Sequence, residues 1–393
     1  MLEPGHLLHA LERKVDEFQS HHETKTAQSA QHSEWLERFS ALTYLFADAR
    51  LAPLDYPGAH PTREWETHQS LAVPFTQSFH NHQEAREWAA SVLTARTTFA
   101  VDGSQIMPNK EISIPVAVVQ AGWYLNPHEA NAPFEKNVHA EVIGPEELLS
   151  SGSEEKMYHD QIISLRRYEL EIDTILNFFS RTQNVKRSVT FFDGSLLISF
   201  AEVLMELYRQ RYLQSALALL EASQQQAAPV IGYVDTSVAR DLIRMLQFTF
   251  CDEPDLQQDG LRDAQLVQNL IPNWGDRTIA FRLSRPGILR EYGDFSTELG
   301  FLYMRTKMDR LPTRIEFPLW LHESGQLDDV LDIVRAECII GNGYPYALET
   351  ADQVAWFSPF DRSRFNNLFK SFLESHSLSL QISGKLQSKQ RRR

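Results

Sequence analysis

The spacing of hydrophobic residues predicts helices in the first 50 residues of the chain. Leu7, Leu8, Leu11, Val15 and Phe18 recur at intervals of one to four residues, and a second apolar set spans 35–45. The polar stretch between the two sets is predicted to be a loop or a solvated helix surface. Further helices are predicted over 84–95, 155–179, 199–225, 327–337 and 360–375, and another is predicted to open near Thr236 or Ser237.

Strands are predicted where β-branched and aromatic residues cluster. Three such segments, at 98–101, 112–123 and 138–143, follow one another with short connections and indicate a β-meander. Later segments alternate with helices, at 188–193, 229–234, 277–283, 300–305 and 314–321. Residues 51–74 contain four prolines and no clear period, which indicates a connection. Strands first and alternating strands and helices later predict an α/β fold with a mixed sheet.

Composition restricts the class of protein. The chain has 393 residues, 42% of them hydrophobic, which allows one large domain with additions or two domains. Its two cysteines, the absence of an apolar run near the ~20 residues of a membrane span, and an N-terminus without a secretory signal favour the cytoplasm.

The net charge of −14 argues against a protein that coats nucleic acid by charge alone. It is compatible with a carboxylate-rich site that binds divalent cations. The last residues, 377–393, form a basic tail, which is either a solvated end or a flexible contact for phosphate.

Two segments share the motif Asp-Gly-Ser directly after an apolar, strand-like run. Asp102 follows Phe-Ala-Val and Asp193 follows Thr-Phe-Phe, so each carboxylate is expected at the end of a strand. The carboxyl edge of an α/β sheet is a common place for ligands. Glycine after the aspartate allows a sharp turn and leaves room for a phosphate or a hydrated metal. The alternative is two unrelated turns, because Asp-Gly is a common turn dipeptide.

A third acidic residue can come from the helix between these motifs. Glu169 and Glu171 lie two residues apart in the run LRRYELEID, so they point in different directions and only one can face the site. Hard cations such as Mg²⁺ and Mn²⁺ prefer oxygen ligands and usually need two or more carboxylates.

The ordered segments FAVDGSQI, RRYELE, TFFDGSLL and GYPYALETAD resemble the motifs of the NurA nuclease family. The resemblance implies a ribonuclease-H-like mixed sheet flanked by helices, here with an N-terminal helical extension. It also implies cleavage of DNA with a divalent metal, typically Mn²⁺, in DNA repair and end processing. The partners implied are a HerA-type hexameric ATPase and a second copy of the chain in a homodimer.

The same resemblance implies site residues. Asp102 and Asp193 would be metal ligands, together with Glu169 or Glu171, of which Glu169 is favoured because it directly follows the Arg-Arg-Tyr run. Tyr344 matches the tyrosine of the family's Gly-Tyr-Pro turn and would be a catalytic residue. Eight residues later the family usually has a histidine, whereas this chain has Asp352, which can bind Mn²⁺ or Mg²⁺. An aspartate with an ordinary pKa cannot donate a proton at neutral pH, so this position is not expected to take over the proton transfer of a histidine. The competing interpretation is an acid at a helix N-terminus.

These residues predict metal-assisted phosphodiester hydrolysis by one or two ions. Contacts with DNA are expected from Ser104, Ser195 and Arg240. The predicted organisation is an N-terminal helical region and connection over 1–95, a nuclease domain over 96–376, and the tail. Two alternatives stay open. One is a catalytically silent relative that holds DNA or the ATPase. The other is a phosphohydrolase of small molecules, which the lack of a P-loop disfavours.

Overall fold

A computed structural model describes residues 2–109, 113–149, 155–251, 254 and 260–378. The side chains of 155–159 lie outside this description, as does almost all of the predicted basic tail. Within the described ranges, no helix combines the length and the hydropathy needed to cross a lipid bilayer.

The α-helices of the described residues are α1 Pro4–Glu12, α2 Val15–Ser40, α3 Tyr44–Leu51, α4 Glu64–His68, α5 His82–Leu93, α6 Pro145–Leu149, α7 Glu155–Arg181, α8 Glu206–Gln226, α9 Asp241–Phe250, α10 Asp263–Val267, α11 Trp320–Glu323, α12 Leu327–Ile340, α13 Tyr346–Ala355 and α14 Pro359–Ser375. The strands are β1 Gly58–Pro61, β2 Ala72–Val73, β3 Thr97–Ile106, β4 Ala117–Asn126, β5 Glu135–Ile143, β6 Ser188–Asp193, β7 Val230–Val234, β8 Arg277–Thr278, β9 Phe281–Ser284, β10 Leu299–Met304 and β11 Thr313–Pro318. Short 3-10 helices cover Val185–Arg187, Ser199–Val203 and Ile288–Thr297.

The chain forms two compact units that are each discontinuous in sequence. The first unit comprises Met1–Gln77, Val234–Leu289 and Thr297–Leu319, and the second comprises Ser78–Tyr233, Arg290–Ser296 and Trp320–Arg393. The boundaries predicted from the sequence, after residues 95 and 376, divide the chain into continuous segments, whereas these two units are discontinuous. The predicted domain boundaries stay a prediction.

The second unit contains a five-stranded mixed sheet in the order β7-β6-β3-β4-β5. β3, β4 and β5 pair antiparallel, as the predicted meander requires, while β6 and β7 run parallel to β3. Helix α7 packs with β3 and β4 and with α8, and helix α13 packs with β3, β4, β5 and β6. The fold class is therefore confirmed as a ribonuclease-H-like mixed sheet flanked by helices.

The first unit holds the N-terminal helical extension and antiparallel strands. Strands β1, β9, β10 and β11 follow one another in the sheet, and β2 pairs with β8. The polar stretch of 20–34 is part of the continuous helix α2, and most of its side chains are exposed to solvent. Of the two alternatives, the solvated helix surface is therefore the correct one.

Three local predictions were wrong. Residues 51–74 contain β1, α4 and β2 rather than only a connection. The helix expected over 199–225 begins as a 3-10 turn, and α8 starts only at Glu206. The helix expected to open near Thr236 begins at Asp241.

Candidate acidic site

Asp102 lies within a strand and not at its end. β3 continues to Ile106, and Asp102 and Gly103 pair with Gly122 and Ala121 of β4. The expected break after Val101 was wrong: the pairing with β6 ends at Val101, but β4 continues to pair with this stretch through Ile106 and holds it extended. Gly103 consequently makes no turn.

Gly103 instead permits the close approach of a helix. A Cβ atom at Gly103 would overlap the Glu171 carboxylate and would lie 2.6 Å from Cγ of Arg167. Both of these residues belong to α7, and Glu171 is 8% exposed. Glycine is thus required here so that α7 can bring Glu171 against the backbone beside Asp102.

Glu169 lies in a different environment from Glu171. Its two oxygens accept hydrogen bonds from Nε and Nη2 of Arg211, at 2.8 and 2.7 Å. Nη1 of Arg166 donates to the same carboxylate at 2.9 Å. Because two guanidinium groups satisfy Glu169, the preference for Glu169 over Glu171 has to be reversed: α7 turns Glu171 toward Asp102 and Glu169 toward these arginines.

Asp193 is the last residue of β6, as expected, and it is exposed. The following Gly194 has a φ of +134°, a backbone conformation that favours glycine. The turn passes very close to β7, since a Cβ atom at Gly232 would lie 2.5 Å from the carbonyl oxygen of Gly194. The second Asp-Gly-Ser motif is therefore a true turn, which depends on Gly194 itself and on Gly232 of β7.

Asp352 lies in the last turn of α13, where the helix dipole disfavours an acid. This position overturns the interpretation of Asp352 as an N-terminal helix acid. α13 contacts β4 at Gly122, where a Cβ atom would lie 2.5 Å from the backbone nitrogen of Ala355. Nε2 of Gln120 also donates to the carbonyl oxygen of Ala355 at 3.0 Å. These contacts bring Asp352 to Asp102, the cross-strand partner of Gly122.

The four carboxyl groups influence one another. Burial raises the pKa of Asp102 to about 6; the charges of Asp193 and Asp352 act in the same direction, and the N–H of Gly103 opposes them. Protonated Asp102 also donates a hydrogen bond to Asp352. Burial raises the pKa of Glu171 to about 8, with Arg167 opposing and Asp102 and Asp193 adding to the rise. Such a set is stabilised by protons or by a cation.

The chemistry of this donor set fits a hard divalent cation, because all four groups offer carboxylate oxygens. Among the residues that the structure describes, however, no three His, Cys, Asp or Glu side chains converge to metal-binding distance. Asp193 and Asp352 are exposed to solvent. Binding of an ion would therefore require side-chain rotation, for which these two exposed residues have room.

The remaining predicted residues have local contacts of their own. The ring of Tyr344 packs edge-on against the buried Tyr233, with centroids 5.2 Å apart. Oγ of Ser195 donates to the carbonyl oxygen of Leu197 at 2.9 Å and shapes the turn after β6. Ser104 is half-buried in β3, and Arg240 is the N-cap residue of α9 in the first unit. The catalytic role expected for Tyr344 and the DNA contacts expected for the other three residues stay predictions.

Three features of the site were not found from the sequence. Arg167 lies with its Nε 3.3 Å from Oε1 of Glu171, and its i, i+4 spacing to Glu171 was the available signal. Gly122 and Gly232 allow the close approaches of α13 and of the Asp193 turn, and no local pattern distinguishes them from other strand glycines.

The four acids come from two neighbouring strands of a mixed sheet and from two helices that pack on it. The site is therefore a cluster of carboxylates at the surface of a mixed sheet. The NurA domain model matches residues 96–357, more than half of the chain. The chain therefore belongs to the NurA family. The match contains all four acids.

Solved structures show weaker likenesses. A crystal structure of NurA with manganese aligns with a TM-score of 0.44 at 11% identity, covering 71% of this chain and 89% of that one. NurA bound to dAMP and manganese gives 0.38 at 9%, covering 75% and 90%. The catalytic domain of human endonuclease V gives 0.32 at 13%, covering 81% and 96%. A search of curated proteins finds no match.

Proposed function

We propose that this protein is a divalent-metal-dependent DNA nuclease. The observation that carries the proposal is the gathering of Asp102, Glu171, Asp193 and Asp352 from two strands and two helices, in a chain of the NurA family. Phosphodiester hydrolysis needs positive charge near the scissile phosphate, and a cation bound by these four acids would supply it.

In this proposal the four carboxylates hold Mn²⁺ or Mg²⁺. A metal bound there would activate water and neutralise the charge that develops on the phosphate. The manganese present in NurA crystal structures supports Mn²⁺ as the first choice. Arg167 is half-exposed beside Glu171 and is suited to contact a phosphate oxygen of the substrate.

Neighbouring groups determine the protonation state of Asp102. The N–H of Gly103 stabilises the ionised form of Asp102. When no cation is present, the Asp352 carboxylate accepts a hydrogen bond from protonated Asp102. Binding of a cation displaces that proton, so occupancy of the site rises with pH through about 6 and above. Tyr344 remains a proposed catalytic residue, and Ser104, Ser195 and Arg240 remain proposed contacts for the DNA.

The partners belong to the same proposal. Family membership favours a HerA-type ATPase and a homodimer, acting together in DNA end processing. Size-exclusion chromatography with light scattering, alone and with a candidate ATPase, tests both. A monomer that shows no association with the ATPase at micromolar concentration contradicts this part.

Digestion of linear single- and double-stranded DNA with Mn²⁺ tests the proposed activity. Asp102→Asn, Glu171→Gln and Asp193→Asn should each lower the rate by at least about a hundred-fold, because loss of even an indirect metal partner costs ten- to a hundred-fold. Glu169→Gln is the matched control on the same helix and should retain most activity. If the wild type does not cut DNA but binds DNA or the ATPase, the catalytically silent alternative is correct. If Glu169→Gln is as inactive as Glu171→Gln, our assignment of α7 fails.

A further inference from the structure

A buried carboxylate binds the N-terminal end of α13, the helix that carries Asp352. Glu337 of α12 is 1% exposed, and its Oε2 accepts a hydrogen bond from the backbone N–H of Ala347 at 2.8 Å. α13 begins at Tyr346, and its N-cap residue, Pro345, makes no side-chain hydrogen bond to it. The first N–H groups of a helix have no partner within the helix. Glu337 therefore supplies, from another helix, an acceptor that α13 lacks.

A histidine joins this carboxylate to the strand that carries Asp102. Nε2 of His128 lies 3.6 Å from Oε1 of Glu337 and 3.0 Å from Oγ1 of Thr98. Thr98 is buried in β3 and lies four residues before Asp102, so both side chains are on the same face of the strand. The contacts of Glu337, His128 and Thr98 therefore connect the start of α13 to β3.

The turn that carries His128 is itself held by hydrogen bonds. His128 has a φ of +51°, a left-handed conformation that few residues other than glycine adopt. Its N–H donates to Oδ1 of Asn126 at 3.0 Å, and its carbonyl oxygen accepts from the N–H of Ala95 at 3.2 Å. Such a conformation persists where the surrounding contacts require it. The His128 ring is therefore fixed between Glu337 and Thr98.

The other end of α13 is fixed on β4. The backbone of Ala355 lies so close to Gly122 that no Cβ atom fits between them. Asp352 lies between the two attachments, about 7.5 Å along the helix axis from Ala347 at 1.5 Å per residue. Because Glu337 contacts the end of the helix opposite to Asp352, it can influence the acidic site only through the position of α13.

We propose that Glu337 is a positioning residue for the acidic site, an inference that rests on the proposed nuclease function. With Glu337 in place, α13 is attached at both ends and holds Asp352 beside Asp102. Groups that bind a metal have to be held within about 0.5 Å of their working positions. Loss of Glu337 releases the N-terminal end of α13, so Asp352 is displaced while the other three acids keep their places.

Titration calorimetry of the full chain with Mn²⁺ alone tests the proposal in a double-mutant cycle. Glu337→Ala should raise the dissociation constant of Mn²⁺ about ten-fold, as is usual when a group that orients a metal ligand is removed. In the Asp352→Asn background the same substitution should change the dissociation constant by less than about two-fold, because the group through which Glu337 acts is gone.

Two conservative variants separate the hydrogen bond from the bulk of the side chain. Glu337→Gln keeps an oxygen that can accept from the N–H of Ala347, so its dissociation constant should stay within about three-fold of the wild type. Glu337→Asp withdraws the carboxylate by one methylene group, and its dissociation constant should lie between those of the wild type and Glu337→Ala. If Glu337→Ala does not fold, the cycle is run with Glu337→Asp.

Glu316→Gln is the matched control for the loss of a buried carboxylate. Glu316 lies in β11 of the first unit, is 4% exposed and accepts from Nε of Arg314 at 2.7 Å. Its loss should lower stability in urea and leave the Mn²⁺ dissociation constant unchanged. Equal losses of Mn²⁺ affinity in Glu337→Ala and Glu316→Gln would overturn the positioning role, as would equal losses in Glu337→Ala and Glu337→Gln.

The cycle and a DNA digestion together distinguish the two proposals. A wild type that shows the coupling between Glu337 and Asp352 but never cuts DNA with Mn²⁺ would support the positioning role and contradict the nuclease function. A wild type that cuts DNA, while Glu337→Ala weakens Mn²⁺ binding equally in both backgrounds, would do the reverse.

Discussion

The pH dependence of stability in metal-free buffer gives a sharp test of the position of Glu171. In the folded protein the pKa of Glu171 is about 8, against 4.5 for an unperturbed glutamate. Between these values the unfolded chain releases a proton that the folded protein keeps, so the free energy of unfolding falls as the pH rises. The loss is complete above about pH 8.

The magnitude follows from the size of the shift. Each pKa unit corresponds to about 1.4 kcal/mol, so the full difference corresponds to about 5 kcal/mol. Because Glu171 lines a cavity that water can enter, we expect about 2–4 kcal/mol in practice. Glu171→Gln removes the ionisation. Its free energy of unfolding should therefore exceed that of the wild type at pH 8 and fall less steeply than that of the wild type between pH 6 and pH 8, where Asp263, whose pKa is raised to about 7 by burial, still titrates.

Urea denaturation with excess EDTA at several pH values between 5 and 8.5 measures this effect. Glu169→Gln is the control, since it removes the partner of Arg211 and Arg166 but leaves the buried Glu171 in place. It should be less stable than the wild type by about 1–3 kcal/mol and keep the wild-type pH dependence. Parallel pH profiles for the wild type and Glu171→Gln would refute the reasoning.

Four further predictions follow from the packing and charge of the site. Gly122→Ala should push α13 away from β4, since its Cβ would lie 2.5 Å from the nitrogen of Ala355. The rate of DNA cleavage should then fall at least about ten-fold, and an unchanged rate would contradict the role of α13. Gly232→Ala should displace the Asp193 turn and lower the melting temperature by several degrees, measured by calorimetry, at a cost of about 1–3 kcal/mol. Mn²⁺ at about a hundred times its dissociation constant should stabilise the wild type by about 3 kcal/mol and should stabilise Asp102→Asn much less; equal thermal shifts would argue against binding at Asp102. Asp352→His restores the residue that is usual at this position and should keep Mn²⁺-dependent cleavage within about ten-fold of the wild type, because imidazole also binds this ion.

The sequence predicted those parts of the site that depend on local pattern. The meander, the strand before Asp193 and the long helix that carries two glutamates follow from hydrophobic periodicity. The resemblance to the NurA family added the expectation that the two Asp-Gly-Ser motifs and the later acidic segment form one site. These features are properties of single elements, and their order along the chain restricts how they assemble.

Other parts depend on contacts between distant segments. The orientation of Glu169 and Glu171 is decided by Arg211, which lies 42 residues away on α8. The strand through Asp102 continues because β4 pairs with it through Ile106, which overrides the tendency of Asp-Gly to form a turn. The need for glycine at position 122 arises only when α13 packs on β4.

The location of a bound metal tests the central claim most directly. Crystals grown with Mn²⁺ should show an anomalous scattering peak coordinated by carboxylate oxygens of Asp102, Glu171 and Asp193, with Asp352 nearby. Glu169 should remain paired with Arg211. A peak at Glu169, or manganese bound only away from these four acids, would contradict our account of the site.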